Sequence, residues 1–175
     1  MAQPAGVSIR DMNEGDLGQV LALEEEIFPS PWTEDLFLHE LRQGRNSMYM
    51  VALSGDRLLG YIGALLFKSE VHVTNMAVDG KFRREGLGSN LLIACVRRGL
   101  DMGARWLTLE VRESNSEARQ FYRRFGFEEI GLRYGYYVET GEHAVIMATG
   151  DIRAPHFREL VYNIEAELAL RRSDD

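Results

Sequence analysis

A short glycine-containing loop is the part of this sequence most suited to binding a charged ligand. Arg83-Arg84-Glu85-Gly86-Leu87-Gly88 follows an apolar segment and precedes a helical pattern. Its glycines allow the backbone to approach a ligand closely, and free N–H groups at a helix start carry a partial positive charge. The loop therefore predicts a phosphate site, with a plain strand-to-helix connection as the alternative.

Two familiar nucleotide motifs do not describe this loop. A P-loop has the pattern GxxxxGK[ST], which is absent from the chain. A dinucleotide fingerprint needs a third glycine, where Gly86-Leu87-Gly88-Ser89-Asn90-Leu91 has leucine. The pattern that fits is [Q/R]-x-x-G-x-[G/A].

A second chemically notable residue is a glutamate late in an apolar strand. In the segment Trp106–Val111, residues Leu107 and Leu109 point to one side, and Glu110 points to the other. A carboxylate at this position is either functional or simply directed to solvent.

Composition narrows the class of protein. The chain has 175 residues, of which 45% are hydrophobic and 27% charged, as in one globular α/β domain. Its net charge of −7 argues against general nucleic-acid binding and suits a cationic substrate. One cysteine, no apolar run of about 20 residues and no signal-like start in MAQPAGVSIR lead us to expect a cytoplasmic protein without a membrane segment.

The elements that must position these residues follow from periodicity and from capping and turn signals. Asp16 is expected to cap a first helix that ends before Pro29-Ser30-Pro31, and Thr33 a second short helix. Ser114 and Glu117 have capping-box spacing at the start of a later helix. Strands are predicted at Val7–Arg10, Met48–Leu53, Leu58–Phe67, Val71–Val78, Trp106–Val111, Phe127–Tyr137 and Ala144–Met147.

The order of these elements predicts an α+β fold. A strand, two helices, three antiparallel strands, a helix, a strand, a helix and two strands form a mixed, mostly antiparallel sheet flanked by helices. We expect one domain over residues 1–150 and a helical extension over 151–175. The extension carries an apolar stripe from Phe157 to Leu168, which is expected to pack on its own domain rather than on a second subunit.

Four motifs in order resemble one enzyme family. They are Asn75-Met76-Ala77-Val78, Arg83-Arg84-Glu85-Gly86-Leu87-Gly88, Leu109-Glu110-Val111-Arg112-Glu113-Ser114-Asn115 and Phe121-Tyr122-Arg123-Arg124-Phe125-Gly126-Phe127. Together they resemble the bacterial ribosomal-protein-alanine N-acetyltransferases (the RimI type) of the GNAT superfamily. The chain departs from this pattern at Gly80, where proline is frequent, and in its extra C-terminal helix.

The resemblance implies direct acetyl transfer from a thioester to an amine. It makes Glu110 the base, through water, and Tyr122 the acid. For Glu110 the alternative is a solvent-facing strand residue, and for Tyr122 a core aromatic with its hydroxyl satisfied.

The same resemblance implies that acetyl-CoA is the co-substrate. Backbone groups of the segment Met76-Ala77-Val78 would contact the pantetheine arm, and Asn115 would contact the coenzyme or only cap a helix. The remaining predicted coenzyme residues would donate N–H groups to the pyrophosphate and are Arg84, Glu85, Gly86, Leu87, Gly88 and Ser89.

Aromatic residues are the candidates for the acceptor site. By resemblance, Trp32, Tyr136 and Tyr137 flank the peptide slot, although pattern alone favours Trp32 as a core plug. Cys95 lies in an apolar helical stripe and is expected to be a core residue, and the four scattered histidines give no metal-ligand spacing. No metal is expected.

We therefore expect an acetyl-CoA-dependent enzyme that acetylates the N-terminal alanine of small-subunit ribosomal protein 18. Its partner would be a basic protein N-terminus, and it would be a monomer or a weak dimer. Two alternatives remain at this point: a GNAT acetyltransferase of a small amine or lysine side chain, and a non-catalytic acetyl-CoA-binding module.

Overall fold

One sheet of seven strands runs through residues 6–42 and 44–173, which the computed structural model describes. The spatial order is β1-β2-β3-β4-β5-β7-β6, so the last strand of the chain lies between the two strands before it. The strands are β1 (Val7–Asp11), β2 (Ser47–Ser54), β3 (Arg57–Phe67), β4 (Glu70–Val78), β5 (Trp106–Arg112), β6 (Glu128–Tyr137) and β7 (Glu142–Ala148).

The helices cover both faces of the sheet and follow the predicted order, which is confirmed. Their bounds are α1 (Leu17–Ile27), α2 (Glu34–Arg42), α3 (Leu87–Asp101), α4 (Ser116–Arg124) and α5 (Pro155–Ser173). The predicted α+β class with a mostly antiparallel sheet is also confirmed, since only β4 and β5 pair in parallel among the strands of the described chain.

A β-bulge interrupts the middle of the sheet. Gly63 of β3 pairs with Asn75 of β4, but the next residue, Ala64, pairs with Val73, so Thr74 is an extra residue in β4. A Cβ atom on Gly63 would lie 2.3 Å from the Tyr49 ring, which explains why glycine is required there. Bulges bend a strand and increase its twist. The bulge therefore redirects β4 just before the Asn75-Met76-Ala77-Val78 motif.

Two hydrophobic clusters lie on opposite faces of the sheet. One contains α3 and α4 side chains such as Leu91 and Phe125, and the other contains Val20 of α1 and Phe37 of α2. The tail helix belongs to the first cluster, because Phe157 and the other stripe residues, Val161, Ile164 and Leu168, are buried in it. The expectation that the tail packs on its own domain is thus confirmed.

Two capping predictions were wrong. The Asp16 carboxylate does not cap α1 but lies 2.7 Å from Arg10 and accepts the amide of Asn13. Arg10 lowers the pKa of Asp16, a pairing with β1 that local sequence does not reveal. At the later helix, Asn115 rather than Ser114 is the cap, and its side chain accepts the Ala118 amide at 3.0 Å. The predicted cap at Thr33 is confirmed by a 3.4 Å contact with the Leu36 amide.

Candidate functional site

The two central strands separate and create an opening in the sheet. β4 and β5 pair from Glu70↔Trp106 to Val73↔Leu109 and no further, although β4 continues to Val78 and β5 to Arg112. The β4 segment Met76–Val78 therefore has a backbone edge that faces this opening rather than β5. Glu110 is the first residue of β5 beyond the last pair.

The glycine loop presents backbone N–H groups at the same end of the sheet. Gly86 has φ +82° and precedes α3 without any side-chain cap, and Arg84 is also left-handed at φ +66°. Among the hydrogen bonds of the described chain, none is donated by the amide of Gly86 or Gly88. Uncapped N–H groups at the start of a long helix are suited to an anion, as the sequence predicts.

A cleft of about 460 Å³ connects the loop with the opening. A Cβ atom on Gly88 would point between Phe121 and Met76 at 3.7 and 3.8 Å, so glycine leaves room there for a ligand. The cleft is lined by most of the predicted coenzyme residues, Met76, Ala77, Val78, Arg84, Gly86, Gly88, Ser89 and Asn115, and also by Tyr122.

Other predicted site residues do not line the cleft among the residues described. Glu85 and Leu87 are outside it, and the side chain of Leu87 is buried in the core at 2% exposure. Glu110, Trp32 and the hairpin tyrosines Tyr136 and Tyr137 are also outside it.

The Glu110 carboxylate is held between two nitrogen donors. Oε2 lies 2.9 Å from Nε2 of His72, and Oε1 lies 3.1 Å from the Arg133 guanidinium. The carboxylate side chain is only 7% exposed. The hydrogen bond from His72 is the main cause of a lowered Glu110 pKa, and Arg133 contributes a smaller part. Glu110 is therefore ionised at neutral pH, and the alternative of a solvent-facing strand residue does not hold.

A chain of hydrogen bonds leads from Glu110 through His72 and Thr108 to Glu70, the first residue of β4. His72 Nδ1 lies 2.9 Å from the Thr108 hydroxyl, which donates to Glu70 at 2.5 Å. The imidazole of His72 therefore links the Thr108 hydroxyl on one side to the Glu110 carboxylate on the other.

Tyr122 combines a buried ring with a free hydroxyl. The residue is 8% exposed, and its ring packs against Phe127 at 5.4 Å between centroids. Burial raises the Tyr122 pKa, so the phenol keeps its proton at neutral pH. Within residues 6–42 and 44–173, the hydroxyl has no hydrogen-bond partner. The alternative of a core aromatic with a satisfied hydroxyl is therefore not observed.

Tyr137 connects the two candidate catalytic residues electrostatically. The pKa of Tyr137 is raised to about 12, mainly by burial and to a smaller extent by the charges of Glu110 and Glu142, against the opposing effect of Arg112. Tyr137 in turn raises the pKa of Tyr122. The Arg112 guanidinium lies 3.8 Å from the Tyr137 ring centroid and fixes its position. Tyr137 therefore interacts electrostatically with both residues.

The predicted acceptor residues lie on two separate elements. Trp32 packs on Phe37 and Tyr49, with centroids 5.4 and 6.5 Å apart, and its amide donates to Glu24 at 2.8 Å. It is half-buried, which agrees with a core plug that keeps part of its ring accessible. Tyr136 lies on β6 at 45% exposure and is available to a partner.

His72 and Arg133 were not identified as contacts of Glu110 from sequence. One signal for His72 was available, since it lies between the buried Val71 and Val73 and so faces the same side of the sheet as Glu110. Identifying Arg133 as a contact of Glu110 requires the strand order β5-β7-β6, which the sequence does not show.

The remaining candidates play no part in the site. Cys95 is fully buried in the core, as predicted, and burial raises its pKa to about 12. No group of His, Cys, Asp or Glu side chains suited to a metal ion occurs in the described ranges. None of the helices described is both long and apolar enough to cross a bilayer.

Comparisons with known proteins agree with this geometry. The sequence profile of the acetyltransferase (GNAT) family matches residues 17–127, a range that ends before β6. A Bacillus subtilis protein named as a candidate ribosomal protein bS18-alanine N-acetyltransferase is 36% identical over 80% of this chain and 93% of its own. The ribosomal protein bS18-alanine N-acetyltransferase of Salmonella typhimurium is 32% identical over 81% of this chain and 95% of its own.

A solved structure gives the same result in three dimensions. The crystal structure of the ribosomal-protein-S18-alanine N-acetyltransferase from Escherichia coli superimposes with a TM-score of 0.75 and 28% identity. The match covers 83% of this chain and 94% of that one.

Proposed function

The chain belongs to the acetyltransferase (GNAT) family and is an acetyl-CoA-dependent N-acetyltransferase, and from this premise we propose its acceptor and mechanism. The acceptor is the N-terminal α-amine of a protein, namely the N-terminal alanine of small-subunit ribosomal protein 18. The relatives named for this activity support the acceptor, because they match this chain over more than nine-tenths of their own length. The observation that carries the mechanism is the ionised Glu110 at the separation of β4 and β5, with Tyr122 lining the adjoining cleft.

The donor side of the site fits acetyl-CoA. The free amides of Gly86 and Gly88 suit the pyrophosphate, and the unpaired edge of Met76–Val78 suits the amide-bearing arm. The glycine at position 88 supports this assignment, because an added Cβ atom would already be in van der Waals contact with Phe121 and Met76. When bound, acetyl-CoA supplies an activated acetyl group as a thioester.

Glu110 is the proposed base. An ammonium group cannot attack, so the α-amine must lose a proton, and Glu110 accepts it through a water molecule. Its lowered pKa ensures that the carboxylate is ionised at neutral pH. His72 and Arg133 hold the carboxylate in position.

Tyr122 is the proposed acid. The departing thiolate needs a proton, and the phenol of Tyr122 holds one at neutral pH because burial raises its pKa. Its hydroxyl has no competing partner among the described residues, and the residue lines the cleft.

Trp32, Tyr136 and Tyr137 are the proposed walls of the peptide slot. Residues 1–150 form the proposed catalytic domain, with 151–175 as its extension, and the ribosomal acceptor places the protein in the cytoplasm.

A peptide panel tests the acceptor. The protein is incubated with acetyl-CoA and a basic peptide that begins with alanine, the same peptide with a blocked N-terminus, or spermidine. Mass spectrometry and thiol release then report transfer. We expect acetylation of the free N-terminus alone. Transfer to the blocked peptide or to spermidine would instead support a lysine or small-amine enzyme, and no thiol release with any acceptor would support a non-catalytic module.

A further inference from the structure

The tail helix α5 reaches the coenzyme cleft. Two of its last residues, Leu168 and Arg171, line the cleft together with the glycine loop. Leu168 is only 5% exposed and belongs to the main core cluster, so it fixes the end of the helix against the domain. The family profile ends at residue 127, so this wall of the cleft lies outside the range that the profile matches.

Ion pairs and close packing hold α5 at this position. Glu165 pairs with Arg97 of α3, and Glu167 pairs with Arg124 of α4. Near the start of the helix, Leu160 lies close to Gly126, where an added Cβ atom would be 3.2 Å away. The helix therefore spans both α3 and α4, and the position of its last turn is determined by the core.

Arg171 presents an exposed cation at the cleft. The side chain is exposed, and no carboxylate of the described residues forms an ion pair with it. Among the residues that the structure describes, the charged ones that line the cleft are four arginines and one glutamate, in a protein whose net charge is −7. The lining residues are Arg83, Arg84, Arg124, Arg171 and Glu117. A locally basic cleft in an acidic protein indicates an anionic ligand.

We propose that Arg171 binds the 3′-phosphate of coenzyme A. The coenzyme has two separate anionic groups, a diphosphate and a phosphate monoester on the ribose. The free amides at the start of α3 suit the diphosphate. Arg171 belongs to a different wall of the same cleft, and a guanidinium matches a phosphate monoester through paired N–H donors. The extension thereby selects the phosphorylated coenzyme. This inference rests on the acetyl-CoA site of the proposed function and is independent of its acceptor.

Calorimetric titration with two ligands tests the assignment. Coenzyme A and 3′-dephospho-coenzyme A are each titrated into the wild type and into Arg171→Ala. We expect the substitution to weaken coenzyme A binding about tenfold, as the loss of a hydrogen bond to a charged group predicts. Binding of the dephospho ligand is expected to stay within about twofold, so that the preference for coenzyme A disappears.

Two further variants separate charge from structure. Arg158→Ala removes an exposed arginine in the first turns of the same helix, outside the cleft lining, and is expected to keep the wild-type preference. Arg171→Lys keeps the charge without the paired donors and is expected to retain part of the preference. An equal loss for both ligands would assign Arg171 to the diphosphate, and no loss would remove it from the site. Either result would overturn the proposal and leave the acetyltransferase assignment intact.

Discussion

His72 Nε2 lies 2.9 Å from the Glu110 carboxylate, and this contact joins β4 to β5 next to the point where the two strands separate. The parallel register pairs His72 with Thr108, so His72, Thr108 and Glu110 share one face of the sheet. The contact is also the main reason for the lowered pKa of Glu110. The ionisation of the proposed base is therefore controlled by a residue on the neighbouring strand.

Replacing His72 by alanine should move the acid side of the pH profile upward. The His72 hydrogen bond is the largest effect that lowers the pKa of Glu110, and the substitution removes it. Burial, which raises the pKa of Glu110, remains in the variant. Glu110 would then become protonated at a higher pH than in the wild type. The fall in kcat/KM on acidification should begin at a higher pH in the variant than in the wild type. Near pH 8, the kcat/KM of the variant should differ less from that of the wild type than it does at acidic pH. His156→Gln, an exposed substitution on α5, should leave the profile unchanged, and an unshifted profile for His72→Ala would refute the coupling.

Glu110→Gln should separate catalysis from coenzyme binding. The amide preserves the shape of the side chain but cannot accept a proton from the amine, so kcat should fall by about a hundredfold or more. The dissociation constant of acetyl-CoA, measured by calorimetry, should remain within about twofold, since Glu110 does not line the cleft. Glu128→Gln, an exposed change at the start of β6, is the matched control. Wild-type turnover in the first variant would remove the base assignment.

Tyr122→Phe should slow the reaction without unfolding the protein. The ring keeps its packing on Phe127, and the lost hydroxyl has no partner among the described residues. Because burial raises the Tyr122 pKa, the wild-type rate should show no loss from phenol ionisation up to about pH 10. We expect kcat to fall by about a hundredfold with little change in coenzyme affinity. Tyr162→Phe, at 69% exposure on α5, should behave as wild type, and equal rates for both variants would exclude the acid role.

Gly86→Ala should weaken acetyl-CoA binding. Gly86 has φ +82°, and an L-residue in that conformation costs about 1 to 2 kcal/mol. Relief of this strain would turn the amides away from the ligand and lower the affinity about tenfold. Gly80→Ala is the control, because Gly80 has an ordinary φ and no atom within 4 Å of an added Cβ. Calorimetry on both variants provides the comparison, and equal affinities would show that the loop amides do not bind the ligand.

The tail helix should be part of one cooperative unit. Phe157 is 3% exposed within the main core cluster, so Phe157→Ala should lower the free energy of unfolding by about 3 to 5 kcal/mol. Urea denaturation should still show a single transition. Leu170→Ala, at 68% exposure, should change the free energy by less than about 0.5 kcal/mol. A separate early transition for the tail would mean that α5 folds independently of the domain.

Much of this fold could be predicted because local signals and tertiary packing agree. Gly103, with φ +88°, follows the end of α3 in the left-handed conformation that glycine favours, and the turn that contains Gly55 joins β2 to β3. The alternation around Glu110 was also predicted correctly, since Leu107 and Leu109 are both buried. In each case a nearby pattern determines the structure.

The errors involve competition from residues on other elements of the fold. Asp16 follows the capping rule in sequence, but Arg10 on β1 offers its carboxylate a charged partner. Ser114 has the spacing of a capping box, but its amide donates to Glu142 at 2.7 Å, and Asn115 becomes the cap. The position of β7 between β5 and β6 brings Arg133 within reach of Glu110. Each of these partners lies on a different element of the fold, and its position is set by the arrangement of the strands.

The separation of β4 from β5 also has a mechanical consequence. Strands β1 to β4 and strands β5 to β7 share a seam of only four residue pairs. In the proposed coenzyme site, a bound acetyl-CoA would link the two halves across the opening, and its release would leave only these four pairs between the strands. The proposed site therefore predicts a stiffer sheet with the donor bound than without it.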